Sequence, residues 1–228
     1  MDPLQRQTLE IKADDVQLHG ELVLPENASG LVIFSHGSGS SRFSPRNNFV
    51  AQQLQRHGLA TFLFDLLTEE EDRVYSRRFD IDLLSQRLVQ VTRSLLKFPQ
   101  INILPIGFFG ASTGAASALV AASILKDKIS AVVSRGGRPD LAGGQLLLVR
   151  APTLLIVGEL DLEVLALNRE ALERLPVTKR LEAIEGATHL FEELGALEQV
   201  AQLSIEWFLK YLAGKDSPQM KSQTVEWQ

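Results

Sequence analysis

An α/β fold on a mostly parallel, buried sheet is what this sequence of 228 residues predicts, and three observations predict it. Short apolar runs, most of them β-branched or aromatic, recur along the chain and end in Gly, Asp or Ser. Longer segments between them carry apolar residues three and four apart. The alternation of these two patterns signals βαβ units, because a strand covered on both faces is apolar throughout whereas its covering helix is apolar on one side. The third observation is size and composition: 228 residues at 45% hydrophobic and 22% charged suit one domain with one core.

The elements follow in order. Residues 8–24 alternate through Leu9, Ile11, Val16, Leu18, Leu22 and Val23 with a break at Ala13-Asp14-Asp15. That pattern predicts an N-terminal antiparallel hairpin on the sheet edge, closed by Pro25-Glu26-Asn27. Candidate strands are 31–35, 60–65, 103–109, 131–134, 153–158 and 180–184. Residues 80–98 present Ile81, Leu84, Leu88, Val91, Leu95 and Phe98 on one helical face, and Pro99 stops the helix. Residues 196–212 repeat the period through Leu197, Val200, Ser204, Phe208 and Tyr211, which makes a final helix that covers one sheet face. The mixed charges of 66–78, from Glu69 to Arg78, read as a solvated loop rather than a site. Only a short helix fits between the strands at Ala131 and Thr153, so no large lid is expected. The domain is expected over 1–214 and a polar tail over 215–228.

Composition removes several classes of function. Net charge is -5, and no Lys/Arg cluster is interleaved with aromatics, so no nucleic-acid partner is expected. The absence of Cys excludes disulfides, thiolate metal sites and a cysteine nucleophile. The first ten residues are polar, and no apolar run approaches the ~18 residues of a membrane span, so a cytoplasmic protein without a membrane partner is expected.

The sharpest motif is Gly110-Ala111-Ser112-Thr113-Gly114, after an apolar run and before the helix-compatible residues 115–125. A serine on a tight strand-to-helix turn is held in a strained, exposed conformation, and the flanking glycines remove side chains that would collide there. A serine hydroxyl is a weak nucleophile unless a base takes its proton and a third group orients that base. Of four His, only His189 follows Ser112, in a loop directly after the last candidate strand. Asp161 leaves the C-terminal end of the strand at 153–158, where open sheets gather their active-site groups, and Glu159 is the reserve acid. Another Gly-rich loop, His36-Gly37-Ser38-Gly39, follows the strand at 31–35, without a Walker lysine or a GxGxxG pattern for phosphate.

Together, HGSG at His36, GASTG at Ser112, GELDLEV at Asp161 and GATHLF at His189 resemble the α/β-hydrolase superfamily, and within it the small, lidless dienelactone hydrolase-like group. The resemblance runs from about residue 16 to residue 212. It implies helices on both faces of the sheet, the chain order Ser112, Asp161, His189, and hydrolysis of small esters or lactones through an acyl-enzyme without metal or cofactor. It also implies an oxyanion hole built from the backbone amides of Thr113 and Ser38, with Gly39 the alternative loop donor. One departure stands out: dienelactone hydrolase proper uses cysteine where this chain has Ser112, so its substrate does not transfer. Thioester hydrolysis or acyl transfer by the same triad, and a non-catalytic binding domain, are the other readings. Arg42, Arg135 and Arg138 follow strand ends and are candidates for recognising a substrate carboxylate, unless they form ion pairs, as Arg138 could with Asp140.

Overall fold

The structure, a computed structural model, describes residues 4–212. The expected boundary between residues 214 and 215 lies outside them. Strands β1 (Leu4–Ala13) and β2 (Val16–Pro25) form the expected antiparallel hairpin, which turns at Asp14 with φ 54°. Then come β3 (Leu31–Ser35), α1 (Pro45–Arg56), β4 (Ala60–Phe64), α2 (Glu69–Asp72), a 3-10 turn (Tyr75–Phe79), α3 (Ile81–Leu95) and α4 (Pro99–Asn102). The second half runs β5 (Ile106–Ala111), α5 (Thr113–Leu125), β6 (Ile129–Arg135), a 3-10 segment (Pro139–Leu148), β7 (Thr153–Gly158), α6 (Leu162–Arg174), β8 (Lys179–Ile184) and α7 (Ala196–Leu212). Among the described residues the sheet has eight strands in the order β1-β2-β4-β3-β5-β6-β7-β8. From β4 to β8 every pairing is parallel, and β2 joins β4 antiparallel.

Strand side chains alternate between the two faces, so each face has its own core. Val32, Phe34, Phe109, Val133 and Ile156 pack with Val50 and Leu54 of α1 and with Val200, Ile205 and Phe208 of α7. Ile33, Phe62, Phe108, Val132 and Leu155 pack on the other side with Leu84, Leu88 and Leu95 of α3 and Leu119 of α5. Helix α5 is buried around almost its whole circumference, which explains its run of Ala, Leu and Val. Helix α1 begins at an N-cap, Ser44, whose hydroxyl accepts from the Asn47 amide, with Pro at the first turn. Among the described residues no helix is long and apolar enough to cross a membrane.

Three sequence expectations are corrected. The strand expected at 103–109 is β5 at Ile106–Ala111, and Ile103 is 77% exposed after α4. The helix expected over 80–98 is α3 at Ile81–Leu95, which ends before Pro99; Pro99 instead opens α4, because proline has no amide to lose in a first helical turn. The segment 66–78 is not a bare solvated loop. Thr68 and Glu71 form a capping box there, with bonds of 3.0 and 3.2 Å. The buried Glu71 carboxylate also accepts from Arg77 at 3.0 Å and from the buried Arg87 at 3.2 Å, while Arg87 donates back to the carbonyl of Ala13 in the hairpin turn.

Candidate active site

The site assembles at the C-terminal ends of β3, β5, β6, β7 and β8. Ser112, between β5 and α5, has φ 53° and ψ −123°, a conformation that costs a non-glycine residue about 1–3 kcal/mol and persists only where its surroundings impose it. Three backbone bonds of 3.1 Å impose it here: the Ser112 amide donates to the Arg135 carbonyl, and the Ser112 carbonyl accepts from the amides of Ala115 and Arg138. The flanking glycines are required by close approach. A methyl group on Gly110 would lie 2.5 Å from the Ala115 α-carbon, and one on Gly114 would collide with the carbonyl oxygens of Ser35 and His36.

Beyond β7, the Asp161 amide bonds the Gly158 carbonyl at 3.0 Å and the Leu160 amide bonds Ala187 at 2.9 Å, which ties the acid to the loop after β8. That loop carries His189, whose Nδ1 is 2.6 Å from Asp161 Oδ2. A carboxylate against Nδ1 favours the tautomer that carries its proton there. The reserve acid, Glu159, accepts from the Gly186 amide at 2.9 Å and so serves the turn below the imidazole. The turn after β6 links the imidazole to Ser112: a methyl group on Gly136 would stand 3.5 Å from His189 Cε1, while the Arg138 amide bonds the Ser112 carbonyl.

The HGSG loop lies against Ser112, since a methyl group on Gly37 would be 3.1 Å from Ser112 Cβ. The Ser38 amide, expected to face an oxyanion, instead donates to the Thr113 hydroxyl at 2.9 Å. The Thr113 amide stands at the first position of α5. His36 is buried and fully used: Nδ1 lies 3.0 Å from the Gly37 carbonyl, and Nε2 accepts from the Leu66 amide at 3.1 Å. Burial holds its pKa below the ordinary imidazole value. It is a structural residue, not a second base.

The three candidate arginines differ. Arg42 is paired with Asp65 through its guanidinium and its backbone amide. Arg138 is held in two bonds of 2.9 and 2.8 Å by Asp140, which raises its pKa. Arg135 is 7% exposed and has no carboxylate within ion-pair distance among the described residues. Its Nη2 lies 3.4 Å from Asn47 Oδ1, its Nε has no partner, and its Cζ stands 5.9 Å over the ring of Phe191. Burial and, second, the charge of Arg46 push its pKa down to about 10. Sequence reasoning missed Arg78, whose Nη1 lies 3.8 Å from where a methyl on Gly39 would stand while Nε and Nη2 are engaged by Asp72. The charge run that holds Arg78 carries no local signal that it folds back on the HGSG loop. A cavity of about 540 Å³ opens beside that loop, bordered by His36, Ser40, Arg42 and Phe43. Leu160 and Leu162 on either side of Asp161, and Leu190 after His189, expose an apolar rim. Among the described residues no group of three or more His, Asp or Glu side chains is placed to hold a metal ion.

No family model matches the sequence. A crystal structure of dienelactone hydrolase from Anabaena variabilis is 54% identical, with a TM-score of 0.89 over 92% of this chain and 99% of that one. Est1E from Butyrivibrio proteoclasticus shares the fold at 19% identity, with a TM-score of 0.74 over 91% of this chain and 99% of its own. Two Mycobacterium tuberculosis proteins, from strains CDC 1551 and H37Rv, carry the provisional name phosphoribosyl transferase and are 53% identical over 212 residues, 93% of this chain and 48% of theirs. The chain thus spans about half the length of the curated relatives it matches.

Proposed function

The chain belongs to the dienelactone hydrolase group of the α/β-hydrolases, and from that premise we propose that it cleaves small carboxylic esters or lactones through an acyl-enzyme on Ser112. The observation that carries the proposal is the pairing of a serine at φ 53° with an Asp161–His189 bond of 2.6 Å at the same end of the sheet. In this reading His189 Nε2 takes the Ser112 proton as Oγ attacks the substrate carbonyl, and Asp161 stabilises the imidazolium. The negative charge that develops on the carbonyl oxygen is met by the Thr113 amide at the start of α5, beside the HGSG loop. His189 then returns the proton to the leaving alcohol. Water, deprotonated by the same imidazole, attacks the acyl-enzyme and releases the acid. Because the described residues form no large lid, short acyl groups are preferred to long chains. Arg135 supports an acidic substrate better than Arg42 or Arg138, because those two already face carboxylates of their own. The phosphoribosyl transferase name stays with the relatives of twice the length, since the geometry used here belongs to this chain.

The test is a panel of esters, thioesters, lactones and amides, short and long, acidic and neutral, given to wild type, Ser112→Ala and Arg135→Met. Hydrolysis of short esters or lactones that vanishes in Ser112→Ala is expected, with Arg135→Met losing the acidic esters selectively. Ester hydrolysis undiminished in Ser112→Ala would defeat the reading. Faster cleavage of thioesters, or transfer to an added alcohol or amine in preference to water, would move the assignment to the alternatives.

A further inference from the structure

We propose that the side-chain hydroxyl of Thr113 is itself a donor in the oxyanion hole, and that the Ser38 amide acts through it rather than on the substrate. The inference rests on the triad reading above. Its starting point is the contact already described: the Ser38 amide points at Thr113 Oγ1 across 2.9 Å. An amide hydrogen given to that oxygen is not available to a substrate.

A threonine hydroxyl has one proton to donate and two lone pairs to accept with. Thr113 Oγ1 spends a lone pair on Ser38, and among the described residues no acceptor is within hydrogen-bond distance of its proton. The residue is 4% exposed, so the unspent proton is not simply turned to bulk water. A buried donor left without an acceptor is costly, so the hydroxyl keeps a proton that a group brought into the site can accept. The neighbours say which ligand group it meets. Thr113 is the residue after Ser112, its own amide opens α5 with no helical carbonyl to bond, and the Gly37 side of the loop abuts Ser112 Cβ. The oxygen of a carbonyl under attack by Ser112 is thus met by two donors from one residue, the amide and the hydroxyl of Thr113. The Ser38 amide polarises the hydroxyl from behind, which strengthens its bond to an anionic oxygen more than to a neutral one. No bond to Thr113 forms or breaks, and its proton stays on its own oxygen.

The test compares Thr113→Val, which removes the hydroxyl at nearly constant shape, with Thr113→Ser, which keeps it. Each is assayed for kcat and KM on a short ester, for labelling by a fluorophosphonate, and for the infrared stretch of the acyl-enzyme carbonyl. Loss of one oxyanion donor typically lowers kcat by about 10²–10³-fold. The expectation for Thr113→Val is a fall towards the lower of those values, with KM little changed and a carbonyl stretch at higher wavenumber. Thr113→Ser should restore both. Thr113→Ala reads the same quantities if the valine variant does not fold. A wild type that labels at Ser112 while Thr113→Val matches its kcat and carbonyl stretch overturns this inference alone. A fall in kcat with an unmoved carbonyl stretch also overturns it, because the hydroxyl would then only position the loop. A wild type that does not label at Ser112 overturns the triad reading and this inference together.

Discussion

At the scale of single residues, Asp161 and Glu159 stand two apart, and the structure gives them different work. Asp161 bonds the imidazole, and Glu159 bonds a backbone amide of the loop beneath it. Asp161→Asn should therefore lower kcat by about 10³–10⁴-fold, since the ring loses both its tautomer and its counter-charge. Glu159→Gln, which can still accept from the Gly186 amide, should stay within a few fold of wild type. Steady-state kinetics on one short ester decides it, and the reverse order of damage would mean the acid is misplaced. His36 gives a pH prediction. Its folded pKa lies below the ordinary ~6.5 of an imidazole, so the unfolded chain binds its proton first, and the stability from this residue is present above that pH and lost as pH falls through it. The slope is at most about 1.4 kcal/mol per pH unit. Melting midpoints between pH 7.5 and 5.5 should fall more steeply for wild type than for His36→Gln, and parallel curves would contradict the assignment. The candidate triad was legible because each member sits in a short motif at a strand end. The bond between Ser38 and Thr113 was not, because a backbone amide and a hydroxyl 75 residues away leave no mark in the sequence.

At the scale of elements, the charged stretch after β4 shows what periodicity cannot see. Glu71 and Arg87 look like solvent residues, yet their side chains are 10% and 4% exposed and join α2, α3 and the hairpin turn at Ala13. Removing one partner of a buried ion pair leaves the other charge uncompensated, at about 3–5 kcal/mol. Urea unfolding of Glu71→Ala should show a loss near the lower of those values, moderated because Asp14 and Asp15 stand 3.8 and 4.0 Å from the same guanidinium. A loss below about 1 kcal/mol, as for an exposed pair, would contradict the structural role. The strands β3 and β7 were readable to the residue, since runs buried on both faces leave no other pattern. Helices α1 and α6 went unnamed by the periodic reading; α6 buries only Val164, Leu165, Asn168 and Ala171. Strand β5 was shifted because Ile103 and Leu104 look like strand residues, although both belong to the turn that leaves α4.

At the scale of the whole molecule, the fold supplies one thing to chemistry: a parallel sheet whose adjacent strands end together, so that residues far apart in sequence meet along one edge. β5 delivers Ser112, the loop after β7 delivers Asp161, the loop after β8 delivers His189, and β3 delivers the HGSG loop against the serine. The connection from β6 to β7, residues 136–152, holds a 3-10 segment of 10 residues, Pro139–Leu148, and no further helix or strand among the described residues. The central claim is that Ser112 is the nucleophile of this arrangement. Its most direct test is to react the intact protein with a fluorophosphonate, digest it and locate the adduct by tandem mass spectrometry. The account predicts one stoichiometric adduct on the Ser112 peptide, lost in Ser112→Ala and strongly slowed in His189→Ala. An adduct on another residue, or labelling that persists unchanged in Ser112→Ala, would contradict it.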